Sequence, residues 1–273
     1  LKKRDDEKIC IYSLDLKDNV IFNDFQDLLS YEGKFSLIQS VLKAIHPDFG
    51  FQLYLHSDIP MNSGLGGSSV VLAAILGCFN ELRLDQWTSH ELAELAFQAE
   101  RLYFNIAGGW QDQYATVFGG LNFIEFNSSK NTIHSLRLSL NIQAEFEECL
   151  LLCDTNLSHE SGEIHLDQKK QMLNYQNLEK VKLNVKLAYK MKECLLRGEL
   201  DSFGKLMHAS WKIKKSLSSK ISSKYLDNIY STAIKNGALG GKLLGAGGGG
   251  CFLFFINPFD RKKISVNIKT NKQ

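Results

Sequence analysis

Three segments of the chain carry residues whose types and spacing could do chemistry. The first is the run Pro60-Met-Asn62-Ser63-Gly64-Leu65-Gly66-Gly67-Ser68-Ser69, which leads straight into an apolar stretch. Glycine tolerates positive φ and lets the backbone approach a ligand closely. Several N–H groups then converge at a helix N-terminus, where the macrodipole favours an anion. Such a loop can cradle a di- or triphosphate, with the Ser68 and Ser69 hydroxyls placed for a magnesium ion or a phosphate. The plainer reading is a turn with a serine cap. The buried helix that follows directly favours phosphate.

The second segment is Gly108-Gly109-Trp110-Gln111-Asp112. A carboxylate in a glycine-flanked stretch suits a base or an orienting group for an attacking hydroxyl. On its own, such an aspartate is more often a cap or turn former. Glu100, ahead of it on a helix, has Ala93, Ala96, Ala99 and Phe104 around it. Those small or apolar neighbours predict a buried face, where a carboxylate wants a cation such as magnesium. A helix-borne glutamate is otherwise usually a solvated charge.

The third segment runs from Gly240 through Lys242, Gly245, Ala246, Gly247 and Gly248 to Gly250. Gly245, Gly247 and Gly250 satisfy G-x-G-x-x-G formally, but an apolar strand follows where a dinucleotide-binding loop needs a helix. Gly241-Lys242 resembles the end of a Walker A loop, yet Leu243 stands in place of Ser or Thr. What remains is a glycine loop that lets backbone approach a ligand or another loop. Lys214 and Lys215, after Trp211, could meet a substrate phosphate; a solvated charged face is the plainer assignment.

The elements that must position these residues follow from periodicity. Residues 9–14 and 51–56 alternate as strands, and residues 35–45 form an amphipathic helix stopped at His46-Pro47. The apolar run from Val70 to Leu82 is too long for a strand and predicts a buried helix. Thr88 and Glu91 form a capping-box pattern for a helix reaching about Phe104. Residues 121–126 and 149–153 read as strands. Residues 165–197 predict one or two amphipathic helices with Leu173, Leu178, Val181, Val185, Ala188 and Leu195 inward, ended by Gly198. Residues 225–235 predict a helix and 251–256 a fully apolar strand, while the polar tail from Arg261 is expected to fray. This order is mixed, not a βαβα alternation, so an α+β architecture is expected.

The chain has 273 residues and a formal net charge of +2, which gives no strong pull toward nucleic acid or an anionic membrane. Its longest apolar stretches, about ten residues, are too short to span a bilayer. The charged start shows no signal-peptide pattern. The 6 cysteines lie scattered in apolar runs and are expected to be reduced, buried thiols of a cytoplasmic protein.

The three segments, in this order, resemble the GHMP kinases, the superfamily of galactokinase and of homoserine, mevalonate and phosphomevalonate kinases. Pro60 to Ser69 is similar to the family's phosphate loop, with Gly67 where a first serine is usual and Ser68 aligned with the magnesium-binding serine. Glu100 and Asp112 match the family's magnesium-ligand glutamate and catalytic aspartate. The glycine motif around Gly245–Gly248 matches the one that packs beside the phosphate loop and substrate, and Gly109 and Gln111 fall beside it in the implied substrate site. The stretch from Gly108 to Asn122 is similar to the D-glycero-D-manno-heptose 7-phosphate kinase branch. The resemblance implies a two-domain fold, ribosomal-protein-S5-like over 1–143 with its first strands missing and ferredoxin-like over 144–273. It implies ATP and Mg2+ as cofactors, a sugar phosphate as the small-molecule partner, no nucleic acid or membrane, and a monomer or homodimer. The implied reaction phosphorylates the anomeric oxygen of the heptose 7-phosphate, for nucleotide-heptose and surface polysaccharide synthesis. Other members of the superfamily, of galactose, homoserine or mevalonate type, remain open, as does a non-catalytic or fragmentary nucleotide-binding homologue. Two departures stand out: the family's N-terminal R-x-S-F-x-G-G-G-T-D motif has no counterpart, and His159 occupies a position where arginine is expected.

Overall fold

Alternation in Ile9–Ser13 (β2) and Phe51–Leu55 (β4) buries Ile9, Ile11, Phe51 and Leu53, and the two strands pair in parallel with Ile9 opposite Phe51. The fold is that of a computed structural model, which describes residues 1–58, 63–157, 161–171 and 174–270. It divides into two units: Leu1–Met61 with Gly66–Gly120, and Asn62–Leu65 with Leu121–Gln273.

In the first unit, Lys2–Lys3 (β1) pairs antiparallel with β4, and Asp18–Phe22 (β3) antiparallel with β2, giving the order β1-β4-β2-β3. Phe25–Leu29 (α1) and Ser36–Ile45 (α2) follow, the latter closed by His46 at φ 45°. Gly67–Asn80 (α3) is the predicted buried helix, begun one turn earlier than its apolar run. Ser89–Gln98 (α4) carries the predicted Thr88–Glu91 capping box and continues into a π-helical turn, Ala99–Tyr103. Gln111–Phe118 (α5) ends the unit. One core holds it together, with Ile38, Val41, Leu72, Ile75, Phe79 and Ala96 packed on Ile11 and Leu53.

In the second unit, Asn122–Phe126 (β5) and Asn131–Ser135 (β6) form a hairpin. Leu140–Glu148 (α6), Leu150–Asp154 (β7), Ser161–Gln171 (α7), Tyr175–Arg197 (α8), Leu200–Lys215 (α9) and Lys224–Lys235 (α10) follow. Gly240–Leu243 (β8), Cys251–Phe255 (β9) and Arg261–Thr270 (α11) complete it, with sheet order β7-β9-β8. β9 is apolar throughout because both its faces are covered. Phe252 and Phe254 join a core with Trp211, Ile229 and Ile264, while Phe255 joins another with Phe146 and Phe203.

Three expectations need correction. The inward face of α8 is Asn177, Cys194 and Leu195, whereas Leu178, Val185 and Ala188 are exposed; Leu173 lies outside the described residues. Hydrogen bonds favour that face: Asn177 donates to Gln171 O (3.0 Å) and Ser210 donates to Asn184 (2.6 Å), so polar residues on it find partners. Arg261–Thr270 of the tail is helical instead of frayed, because Ile264 and Ile268 share one helical face and are buried; residues 271–273 lie outside the described residues. Gly240 and Gly241 belong to a strand, not to the loop. A Cβ on Gly240 would lie 2.0 Å from Gly204 O of α9, so glycine there allows a helix to lie against a strand backbone.

Candidate active site

Gly66 is the N-cap of α3, at φ 74°, and no side chain caps the helix. The N–H groups of its first turn, Gly67, Ser68 and Ser69, are therefore offered to an anion, and the dipole of a 14-residue helix stands behind them. Asp112 lies in the first turn of α5, not in a loop, with Gln111 Nε2 donating to its Oδ1 at 3.2 Å. A Cβ placed on Gly66 would sit 3.6 Å from Asp112 Cβ and 3.8 Å from its Oδ1. Segments distant in sequence thus bring the glycine loop and the expected catalytic carboxylate together.

Glu100 is buried (3% exposed), as its neighbours predicted. Its carboxylate accepts from Ser68 Oγ (2.6 Å), Ser69 Oγ (2.8 Å) and Gln113 Nε2 (2.5 Å), and Arg101 Nη1 lies 3.6 Å away. These donors and one cation compensate a charge that burial alone would not tolerate. The π-helical turn that carries Glu100 shows in the bond from Phe104 N to Ala99 O (3.0 Å). Sequence reasoning found Ser68 and Ser69 but missed Gln113 and Arg101. Gln113 follows Asp112 directly, which was the one signal available. Gly109 and Gln111 are both exposed next to this cluster.

Ser68 Oγ and Glu100 Oε1 form an oxygen-only pair, the donor chemistry of a hard cation. Among the described residues no group of three or more His, Cys, Asp or Glu side chains gathers. A single hydroxyl and a single carboxylate fit magnesium, which completes its shell with water and phosphate oxygens.

In the second unit, residues 63–64 lie on the glycine motif. A Cβ on Gly64 would fall 3.2 Å from Leu244 O, one on Gly245 3.2 Å from Gly64 Cα, and one on Gly250 2.5 Å from Ser63 O. Ser63 Oγ is buried without a partner among the described residues, and Leu65 is half-buried. Lys214 Nζ donates to Gly245 O (2.6 Å) and Leu243 O (3.2 Å), and Gln168 Nε2 donates to Ala246 O (2.9 Å). Gly248 N donates to Ile221 O (2.9 Å), and a Cβ on Gly247 would meet Ile221 Cα at 2.9 Å. Lys214 therefore holds loop carbonyls instead of lying on a solvated face, and Lys215 pairs with Asp227 at 3.1 Å. Pro60, Asn62 and His159 lie outside the described residues.

Among the described residues no disulfide forms: Cys10, Cys149, Cys194 and Cys251 are buried, Cys78 and Cys153 partly so. Among the described residues no helix is long and apolar enough to cross a membrane.

Comparison with known proteins identifies the family and the fold. Residues 36–120 match the family model for the GHMP kinases N terminal domain, and residues 191–271 match that for GHMP kinases C terminal. The chain is 36% identical over 264 residues to the D-glycero-alpha-D-manno-heptose 7-phosphate kinase of Campylobacter jejuni, covering 94% of this chain and 78% of that one. A solved structure from Campylobacter jejuni is 34% identical, with a TM-score of 0.76 over 98% of this chain and 79% of its own. Lactococcus lactis galactokinase, solved with galactose, shares the fold alone: 20% identity, TM-score 0.77, 99% of this chain and 80% of that one. An uncapped, glycine-led helix, a buried carboxylate on its serines and an aspartate at its N-cap are thus set in a two-part α+β fold whose sequence matches both halves of one family. The chain belongs to the GHMP kinases, phosphotransferases that use ATP and accept on a hydroxyl group.

Proposed function

We propose that this kinase transfers the γ-phosphoryl group of ATP to the anomeric hydroxyl of D-glycero-D-manno-heptose 7-phosphate, giving the 1,7-bisphosphate and ADP for nucleotide-heptose and surface polysaccharide synthesis. The observation that carries the phosphoryl step is the meeting of Gly66 with Asp112 at the uncapped N-terminus of α3. The choice of sugar is supported by the similarity to the heptose phosphate kinase.

The N–H groups of Gly67, Ser68 and Ser69 hold phosphate oxygens where the helix dipole offsets their charge. Gly66 leaves room beside the Asp112 carboxylate, which orients the anomeric hydroxyl and takes its proton. The hydroxyl oxygen forms the new P–O bond, the bond to the bridging oxygen breaks, and ADP leaves with the electron pair. Ser68 Oγ and Glu100 would hold magnesium, which when bound supplies charge neutralisation at the phosphates. In the second unit, Lys214 and Gln168 fix the glycine motif on which Ser63 and Gly64 rest. The family-model matches at 36–120 and 191–271 fall one inside each proposed domain, 1–143 and 144–273. A small-molecule substrate and use of ATP accord with a cytoplasmic enzyme acting as monomer or homodimer.

The test is ATP consumption against a panel of heptose 7-phosphate, galactose, homoserine and mevalonate. Turnover with the heptose phosphate and little with the others is expected; preference for any other acceptor overturns the substrate. Asp112→Asn should bind ATP normally and lose at least about 10²-fold in kcat. Full activity in that variant removes Asp112 from the mechanism.

A further inference from the structure

Beyond setting its charge against Glu100, Arg101 has no part in the mechanism above, yet its side chain is only 10% exposed and adjoins Glu100 in the π-helical turn. Its Nη1 donates to Ile106 O (3.3 Å), its Nη2 to Gly109 O (3.1 Å), and its Nε reaches the same Gly109 carbonyl at 3.4 Å. Its Nη1 also lies 3.6 Å from Glu100 Oε1. A Cβ on Gly108 would fall 2.5 Å from the guanidinium carbon, so the chain between Ile106 and Gly109 is wrapped against the fork with no room for a side chain at 108. That short segment ends where α5 begins, and Asp112 sits in the first turn of α5.

We propose that Arg101 is a positioning residue for phosphoryl transfer: it ties both ends of the 106–109 segment to the turn that carries Glu100, and so fixes where α5 presents Asp112. This rests on the roles proposed for Asp112 and Glu100. A planar fork with five donors can serve two carbonyls and a carboxylate at once; a lysine offers a single point and cannot span them. With the fork gone, the bond from Ile106 N to Glu100 O at 3.2 Å is left to hold the start of the segment, and Asn105 beside it already stands at φ 59°. A displacement of about 1 Å at a reacting group can cost on the order of 10² in rate.

Two variants approach the contact from opposite sides. Arg101→Ala removes the fork. Gly108→Ala keeps it but pushes it off the carbonyls, at a position whose φ is not positive. Each should lower kcat by about 10²-fold while the KM for ATP changes by less than about threefold, because the first turn of α3 is untouched. The double variant should be no worse than Arg101→Ala, since the new methyl then has nothing to strike. Guanidinium chloride at non-denaturing concentration should restore part of the Arg101→Ala kcat, whereas sodium chloride at equal ionic strength should not. Arg101→Lys, which keeps the charge and most of the packing, should remain folded and still lose about tenfold in kcat. A folded Arg101→Ala or Arg101→Lys enzyme with kcat within twofold of the parent overturns the inference, as do additive losses in the double variant. If Asp112→Asn is inactive while the Arg101 variants are active, only the positioning role falls. If Asp112→Asn is active, the reading of the site falls with it.

Discussion

Replacing Gly66 with alanine separates folding from chemistry. The residue stands at φ 74°, where a side chain costs about 1–2 kcal/mol. The new Cβ would lie 3.6 Å from Asp112 Cβ, 3.7 Å from its Cγ and 3.8 Å from Oδ1, which is ordinary van der Waals contact, so no clash adds to that cost. At roughly 2–4 °C per kcal/mol for a chain of this size, the melting temperature should fall by about 2–8 °C. A protein with the usual reserve of about 5–15 kcal/mol stays almost wholly folded at 25 °C after such a loss. The methyl group, however, fills the space beside the Asp112 carboxylate where the proposed mechanism brings the acceptor hydroxyl and the transferred phosphoryl together. The expected loss in kcat is at least about 10²-fold, equivalent to about 2.7 kcal/mol of barrier. Thermal denaturation and steady-state ATP consumption on the same preparation give both numbers. Gly67 is the control, because a Cβ there meets nothing within 4 Å and its φ is not positive; Gly67→Ser, the residue usual in the family loop, should stay active. If Gly66→Ala keeps more than half the parental kcat with the expected small drop in melting temperature, the space beside Asp112 is not where transfer occurs.

Glu100→Ala leaves two buried donors, Ser69 Oγ and Gln113 Nε2, without an acceptor; at about 1–3 kcal/mol each, thermal denaturation should show a loss of about 2–6 kcal/mol. Glu100→Gln should cost less, because Gln113 can turn its amide and present Oε1, an atom now buried without a partner among the described residues. Lys214→Met should destabilise by about 1–3 kcal/mol and speed amide exchange in the 244–250 loop, since it removes the donor to Leu243 O and Gly245 O. His208 accepts from or donates to Tyr230 Oη at 2.7 Å, and burial, helped by Lys212, pushes its imidazole pKa below the ordinary value of about 6.5. The unfolded chain then binds that proton more readily, so stability is present above about 6.5 and falls as pH drops through the window below it. His208→Gln should flatten the slope of melting temperature against pH in that window, and an unchanged slope refutes the linkage.

Much of this site was legible because its chemistry depends on residue types that leave a local signature. The burial of Glu100 followed from alanines at helical spacing, and the glycine-led start of α3 from glycines ahead of an apolar run. Gln113 and Arg101 left no such trace. The π-helical turn shifts the helical phase, so counting by 3.6 does not predict which neighbours meet Glu100. Elsewhere, apolar counting failed on α8, where Asn177 and Asn184 turn inward because each finds a partner in the fold. It failed on α11 because only two of its apolar residues, Ile264 and Ile268, four apart, are buried to anchor a mostly polar helix, while Val266 is exposed. α9 went unassigned although it carries Trp211 and Gly204, on which a core and a strand rest.

The glycine motif from 240 to 250 carries two separate requirements that look identical in sequence. Gly240 and Gly241 are strand residues, glycine because Gly204 O and the Phe254 ring occupy the places where their Cβ atoms would be. Gly249 and Gly250 are glycine because Leu157 O and Ser63 O do the same from two other loops. A loop this rich in glycine loses more backbone entropy on ordering than any other composition, so it needs ties to stay in one conformation. Such ties are present: Lys214 and Gln168 hold its carbonyls, while Gly248 N and Gly250 N bond to Ile221 O and Leu157 O. In the described structure, then, the motif is a packing surface for residues 63–64, held by side chains of α7 and α9. Gly250→Ala would drive a methyl to 2.5 Å from Ser63 O, a backbone atom that cannot swing away as a side chain can. Its first effect should be on the loop that precedes Gly66, and any loss of ATP affinity would follow from that displacement instead of from a missing ligand contact.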